Sequence, residues 1–330
     1  MTTPVVDFRF RVPTPEFARS AAASHHCLWW KERPTALWRA ENEPAPAEPF
    51  AEASLDNCVQ WMRERDVIGV LPGRDMPCTS VPNDHLAELC QTYPDRFIAF
   101  AGVDPSLGAP AVAEVEQRIS QGFRGMHLEV GWLRPALHPD DAVIFPLYER
   151  CAELQAGVII HVGPLAGPEL SHTTPDAVCR VARQFPQLRI VMAHAAYPHA
   201  DDAIMAVFKH DNIWLGPDPY YEFPGGDRYR EWANRSDYVA ERMLYGSSLG
   251  WPQAPDALDH FIGLGWRDEV LERLLWTNAA ELLDLLPPPP GAARSQLPAP
   301  PGAARAQLPA PPGAARAQLP APPGAARALP

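Results

Sequence analysis

The sequence has no apolar run of the roughly 18 residues that a membrane-spanning helix needs. Its opening residues 1–4 show neither the basic nor the apolar part of a secretory signal, so we expect no signal peptide. Basic residues are also few: 28 Lys and Arg stand against 40 Asp and Glu, a formal net charge of −12. Nucleic acids and anionic membranes need clustered basic residues, so we expect neither as a partner. These absences favour a cytoplasmic protein that acts on a small molecule.

The sequence also lacks any CxxC pair. Its six cysteines lie at positions 27, 58, 78, 90, 151 and 179. We interpret them as free thiols of a reducing compartment, most of them packed within helices.

The last 44 residues differ in composition from the rest of the chain. A proline run at 287–290 is followed by an eleven-residue repeat that reads approximately LPAPPGAARAQ. Proline removes backbone donors, and one leucine per repeat supplies too little apolar surface to offset the entropy of ordering. We therefore predict a folded domain at 1–286 and a disordered Pro/Ala/Gly-rich tail at 287–330. Two interpretations of the tail stay open: a docking segment for a partner protein, and a neutral repeat expansion.

Short β-branched runs alternate with amphipathic stretches through the first 286 residues. The predicted strands are 5–10, 67–71, 97–103, 125–128, 158–162, 190–194, 213–216 and 243–246. The predicted helices include 55–65, 83–93, 111–121, 144–154, 176–184 and 201–209. Eight strands, most of them followed by a helix, predict an α/β fold, the (β/α)8 or TIM barrel. The competing doubly wound sheet is disfavoured because no GxGxxG or GxxxxGK[ST] motif follows any strand.

Active sites of such barrels lie at the carboxyl ends of the strands. The polar residues predicted there are Arg9, Arg11, His127, Glu129, His161, His194, Asp218, Ser247 and Ser248. Three of them are histidines at the ends of consecutive strands, which favours a site over isolated structural histidines.

A long loop is predicted after the first strand. It contains His25, His26 and Cys27, followed by Trp29 and Trp30. We interpret this loop as an aromatic cover over the barrel mouth, with a metal-binding histidine pair as the alternative.

Several segments resemble the amidohydrolase-related family that includes aminocarboxymuconate semialdehyde decarboxylase. They are, in order, DHLAELCQTYPDRFIAFAGVDP at 84–105, GFRGMHL at 122–128, GVIIHVG at 157–163, FPQLRIVMAHAAYP at 185–198, ERMLYGSSLGWP at 241–252 and LLWTNAAELL at 274–283. The resemblance covers about residues 4–286. It implies an amidohydrolase-type barrel that hydrolyses a C–N or C–O bond or releases CO2, with a homodimer as a family-level expectation.

The metal-binding positions depart from the family pattern. The family opens with Asp-x-His-x-His, whereas this chain has Asp7, Arg9 and Arg11 at those positions. The family's eighth strand ends in Gly-Ser-Asp, whereas this chain has Ser248 at the last position. Arginine offers only donors and cannot bind a metal ion. We therefore expect no metal cofactor. The alternative is a rebuilt zinc site that includes His161 and His194.

Two functional hypotheses follow. In the first, an enzyme binds a small carboxylated substrate through Arg9 and Arg11, with help from His127 and Asp218. His194 and His161 would then act as acid or base, and Ser248 as a hydrogen-bond donor or a nucleophile. In the second hypothesis the arginines form internal salt bridges in an inactive barrel that binds a metabolite or another protein.

Overall fold

The computed structural model describes residues 3–28, 30, 54–248 and 250–285. The predicted tail at 287–330 lies outside these residues, as do Trp29 and the side chains of His25 and His26. No helix in the described part of the chain is long and apolar enough to cross a membrane. The cytoplasmic location, the homodimer and a partner for the tail stay predictions.

The strands of the described residues are β1 (Val5–Asp7), β2 (Val67–Pro72), β3 (Arg74–Met76), β4 (Thr79–Val81), β5 (Phe97–Gly102), β6 (Gly125–Leu128), β7 (Gly157–His161), β8 (Arg189–Ala193) and β9 (Ile213–Gly216). Seven of them are parallel and form one curled sheet in the order β1-β2-β5-β6-β7-β8-β9, and β3 and β4 form a separate antiparallel hairpin. The central strands are buried on both faces, which explains their continuous apolar sequences.

Twelve α-helices are present in the described residues, and most of them follow a strand. They are α1 (Pro15–Cys27), α2 (Leu55–Glu64), α3 (Asn83–Thr92), α4 (Ala109–Ser120), α5 (Phe145–Glu153), α6 (Asp176–Gln184), α7 (Ala200–Lys209), α8 (Asp227–Arg235), α9 (Asp237–Ala240), α10 (Ala254–Ile262), α11 (Asp268–Glu272) and α12 (Asn278–Leu282). The six predicted helices correspond to α2 to α7 within two residues at each end.

The predicted eighth strand closes the barrel without forming a regular ladder. The amide of Leu244 donates to the carbonyl of Leu215 in β9, and the amide of Phe8 donates to the carbonyl of Tyr245. On one side the segment therefore pairs with β9, and on the other it pairs with the chain just after β1. The barrel interior is filled by alternate side chains of the strands, among them Val6, Phe8, Ile68, Val70, Ile98, Phe100, Ile159, Val191 and Leu244.

The carboxylate of Asp7 joins β1 to this closing segment. Its Oδ1 accepts hydrogen bonds from the amides of Arg9 at 3.1 Å and Ser247 at 2.9 Å. Burial raises the pKa of Asp7 from 3.8 to about 6 despite these bonds. The native state therefore binds this proton more tightly than the unfolded chain, and the resulting stabilisation is lost as the pH rises through 6.

Replacing Asp7 with Asn should make the free energy of unfolding depend less on pH between about 4 and 8. Asparagine keeps the Oδ1 acceptor and removes the group that becomes charged in this range. A shift of this size corresponds to about 3 kcal/mol. We expect D7N and wild type to be equally stable near pH 4 and D7N to be more stable by up to about 3 kcal/mol at pH 8. Urea unfolding at both pH values measures this difference, with the exposed D284N variant as control. A D7N variant that is less stable at pH 8 would contradict it.

The region around Cys27 differs from its prediction in two respects. The segment 15–27 is the helix α1 rather than a loop, and Cys27 at its end forms a disulfide with Cys78 in the β3–β4 turn. The interpretation of six free thiols is therefore wrong for these two residues. Cys58, Cys90, Cys151 and Cys179 are free and lie in helices, as expected.

Candidate functional site

A cavity of about 270 Å³ opens at the carboxyl ends of the barrel strands. Its lining combines three arginines with apolar and aromatic side chains: Arg9, Arg11, Ala21, Ser24, Leu28, Arg74, Trp132, His161, Leu165, His194, Pro219, Tyr220 and Ser248. Five of the seven predicted site residues line the cavity; the other two, His127 and Asp218, do not. The helix α1, predicted as a loop over the mouth, supplies Ala21 and Ser24 to one wall.

The guanidinium of Arg9 lies at the centre of the buried polar groups. Its Nη1 donates to Nε2 of His194 at 2.8 Å. Its Nη2 is 3.5 Å from Oε1 of Glu129, and its Nε is 3.8 Å from Oδ2 of Asp218. Arg9 is only 3% exposed, so these groups provide most of its compensation for lost hydration. Arg9 is therefore a fixed cation shared by three strand ends.

The tautomer of His194 follows from its two contacts. Because Arg9 has only donors, Nε2 of His194 must carry the lone pair, and Nδ1–H donates to the backbone carbonyl of Asp218. Burial and the neighbouring Arg9 hold the pKa of His194 well below 6.5. His194 is thus a neutral acceptor that orients Arg9, and its role as an acid or base stays a prediction.

His161 is the second histidine of the cavity. Its ring centroid is 4.8 Å from that of His194, and it packs nearly perpendicular to the Trp132 ring with the centroids 5.4 Å apart. Burial, opposed by Glu129 and reinforced by Arg9, lowers the pKa of His161 to about 3. An imidazole with such a pKa is neutral and weakly basic at physiological pH.

Glu129 and Arg74 form an ion pair whose role the sequence analysis did not predict. Arg74 Nη2 donates to Oε1 of Glu129 at 3.0 Å, and its Nε lies 3.0 Å from Oε2. Arg74 Nη1 also donates to the hydroxyl of Ser24 on α1 at 2.9 Å. Arg74 and Arg9 lower the pKa of Glu129 to about 2 against the effect of its burial. Through Arg74, the β3–β4 hairpin thereby connects α1 to Glu129.

Arg11 differs from the other two arginines. Within the described ranges, no acidic side chain forms an ion pair with its guanidinium, although Glu129 and Asp218 act on it at longer range. Burial, together with Arg74 and Arg9, lowers its pKa to about 9, so it still carries its charge at neutral pH. Arg11 is a cation facing the cavity without a close counter-ion.

Asp218 and His127 lie outside the cavity wall. Burial raises the pKa of Asp218 to about 7, even though Arg9 favours its charged form. Asp218 directly precedes Pro219 and Tyr220, which line the cavity. His127 is 1% exposed, and its Nδ1 hydrogen-bonds the carbonyl of Gly73 at 2.8 Å.

Backbone strain is concentrated at this site. His194 and Ser248 have φ values of 64° and 55°, in the left-handed region that costs residues other than glycine about 1–2 kcal/mol. Strain of this kind is typical of functional sites, where the surrounding structure enforces it.

Three of the family's metal-binding positions carry arginine or serine in this chain, and arginine offers no lone pair to a metal ion. The side chain at the first family position is the Arg9 guanidinium, which already takes up the lone pair of His194 Nε2 and would repel a second cation. Ser248 stands at the end of the eighth-strand segment, where the family pattern has an aspartate. Over the described residues, the one group of three potential ligand atoms within 4.8 Å of one another is His138, Glu169 and His172, which does not line the cavity.

The family model described as Amidohydrolase matches residues 22–285. An uncharacterized TIM-barrel protein from Bordetella bronchiseptica superposes with a TM-score of 0.72 and 28% identity, over 85% of this chain and 98% of that one. The 5-carboxyvanillate decarboxylase of Novosphingobium aromaticivorans, solved with manganese, has a TM-score of 0.57 and 16% identity, over 86% of this chain and 96% of that one. At this identity it shows the fold alone.

A sequence match of 25% identity over 130 residues links the chain to the 2-amino-3-carboxymuconate-6-semialdehyde decarboxylase of Dictyostelium discoideum. This match spans 34% of the chain and about a third (36%) of that relative. The family model and the barrel neighbours agree with the resemblance of the sequence segments. The chain belongs to the amidohydrolase family.

Proposed function

We propose that this chain is an enzyme that removes CO2 from a small planar carboxylate without a divalent metal in its cavity. The observation that carries the proposal is the charged Arg11, which faces the cavity and forms no ion pair with an acidic side chain of the described residues. An anionic substrate supplies the missing counter-ion. The cavity of about 270 Å³ is near the lower limit of ligand pockets, so the substrate is small.

The cavity walls favour a flat substrate. Trp132 and Tyr220 supply aromatic surfaces, and Leu28 and Leu165 supply apolar ones. The Arg74 guanidinium lies 5.3 Å from the centroid of Trp132. Such walls exclude water from a bound ring and strengthen its interactions with the arginines, because the effective dielectric constant falls. The decarboxylases among the similar proteins act on carboxylated compounds, which agrees with this substrate class.

Arg9 and Arg11 can stabilise the negative charge that develops on the substrate during decarboxylation. In a substrate whose ring carries an ionised hydroxyl group, a proton first adds to the carbon that bears the carboxyl group. The bond to the carboxyl group then breaks, CO2 leaves, and the electron pair restores the ring and returns the negative charge to the oxygen, where Arg11 and Arg9 stabilise it. Arg9 is held in place before the reaction by His194, Glu129 and Asp218 and requires no reorganisation.

The proton that replaces CO2 is assigned to Asp218, and a water molecule must relay it because Asp218 does not itself line the cavity. With a pKa of about 7, Asp218 is partly protonated at neutral pH, whereas His161 and His194 are not. The weak basicity of both histidines also favours decarboxylation over hydrolysis, because hydrolysis needs a base that activates water.

Product analysis in D2O tests this reaction. Incubation with a panel of hydroxybenzoates should release CO2 and place one deuterium on the carbon that carried the carboxyl group. Activity should fall as the pH rises through about 7, since the protonated form of Asp218 is required, and D218N should lower kcat more than it raises KM. Ester or amide hydrolysis without CO2 release would contradict decarboxylation.

The second hypothesis, an inactive binding barrel, is favoured by one observation. Arg9 is enclosed by His194, Glu129 and Asp218, as in a packed internal ion-pair network. Under this alternative, carboxylates bind and raise the melting temperature, but none of the panel is turned over.

A further inference from the structure

A group of two histidines and one glutamate connects two loops at the mouth of the barrel, outside the cavity. His138 lies in the loop after β6, and Glu169 and His172 lie in the loop after β7. The same two loops carry Trp132 and Leu165 into the cavity wall, where the indole N–H of Trp132 donates to the Leu165 carbonyl. The group is thus positioned to fix the wall without contacting a ligand in the cavity.

The side chains of this group already converge. One potential ligand atom from each residue lies within 4.8 Å of the others, and Nε2 of His138 is 3.8 Å from Oε2 of Glu169. The two imidazole rings stack with centroids 3.9 Å apart and planes inclined by 20°. Ligand atoms of a tetrahedral zinc ion are about 3.3 Å apart. Small rotations of the partly exposed His138 and the exposed Glu169 are sufficient to close this difference.

His172 provides an independent indication of a ligand. It is 5% exposed, and its Nε2 has no hydrogen-bond partner in the described part of the chain. An unsatisfied buried polar atom costs about 1–3 kcal/mol. Its Nδ1 lies 3.2 Å from the backbone amide and 3.3 Å from the backbone carbonyl of Glu169, so it accepts from the first in one tautomer and donates to the second in the other. In the tautomer that donates to the carbonyl, Nε2 carries the lone pair that a metal ion needs. A backbone bond of this kind commonly orients a metal-binding histidine.

We propose that His138, Glu169 and His172 bind one divalent transition-metal ion, with zinc as the best match. Two imidazoles and one carboxylate are a ligand set found in zinc proteins, and water would complete the tetrahedron. Calcium and magnesium prefer sets of oxygen ligands, which this group does not offer. The ion would join the loops after β6 and β7 and hold Trp132 against the cavity. This role is independent of the proposed decarboxylation.

Zinc titration of the untagged, chelator-treated full chain tests the proposal. Isothermal calorimetry at pH 7.5 should show one tight equivalent for wild type. H138A and E169Q should each weaken binding by at least about 10–100-fold, the range seen even for second-layer changes at metal sites. Both side chains are at least partly exposed, so these variants should fold normally. H172N tests the buried ligand, and its folding is checked by circular dichroism.

Three control variants locate the ion. Zinc binding should be unchanged in H161N, which changes the cavity, in H210A, which removes a distant histidine, and in the H25A–H26A double variant. Absence of zinc binding in wild type would overturn the proposal. Unchanged affinity in both H138A and E169Q would do so too, as would loss of binding in H161N or in H25A–H26A.

Discussion

Replacing Arg11 with Gln should weaken the binding of small aromatic carboxylates by about 100-fold. Truncating one partner of a buried, hydrogen-bonded charge pair costs about 2–5 kcal/mol, and each 1.4 kcal/mol is a factor of ten. The loss should be large because the two other cavity arginines already pair with Glu129, and Arg9 also with Asp218, leaving Arg11 as the cation for the ligand. Equilibrium dialysis with benzoate and hydroxybenzoates measures the effect.

The stability of R11Q separates ligand binding from a structural role. Arg11 has like-charged neighbours in Arg9 and Arg74, and both lower its pKa. Its removal relieves repulsion, so R11Q should melt at the wild-type temperature or above it. R63Q is the matched control, because Arg63 is 53% exposed and pairs with Asp95 on the helix side of the barrel. A destabilised R11Q with unchanged carboxylate affinity would contradict the assignment of Arg11.

The triple variant R9H–R11H–S248D should bind a metal in the cavity, whereas the wild-type cavity should not. The three changes convert the positions of Arg9, Arg11 and Ser248 to the ligands of the family pattern and remove two positive charges. With His161 they supply four ligands of the kind that zinc binds. We expect a Kd of about 1 μM or below, equivalent to about −8 kcal/mol.

This measurement requires the loop site to be removed first. The triple change is therefore made in an H138A–E169Q background and compared with that background alone. Zinc at about 100 times its Kd should then stabilise the triple variant by about 2.7 kcal/mol and leave the background unchanged. Tight zinc binding by the background, abolished by H161N, would show that the cavity of the natural sequence already accepts a metal.

Periodicity in the sequence was sufficient to predict the barrel strands and six of the helices. Runs such as those of β2 and β7 are apolar throughout because both faces of each strand are covered, which is characteristic of parallel sheets. The helix α1 was missed because its weakly apolar sequence has little helical pattern. Thr14, Pro15 and Glu16 nevertheless form a helix-start signal that could have identified it.

The composition of the site was more predictable than its contacts. Positions at strand ends identified Arg9, Arg11, His161, His194 and Ser248, because strand direction places such residues at one mouth. The pairing of Arg9 with His194 joins residues 185 positions apart, and nothing local in the sequence encodes it. Arg74 belongs to a three-residue strand with no pattern of its own, and the Cys27–Cys78 disulfide spans 51 residues without a recognisable spacing.

The barrel closure has a consequence for how the cavity opens. β1 and the closing segment are held together by few bonds, among them Phe8 to Tyr245, Ser247 to the Asp7 side chain and Trp251 to Arg11. Arg9 and Ser248 lie on opposite sides of this contact between β1 and the closing segment. Local opening favours regions with few hydrogen bonds, so we expect β1 and the closing segment to separate before other neighbouring strands do. A ligand that contacts residues on both sides would therefore stabilise the closed barrel against this local opening.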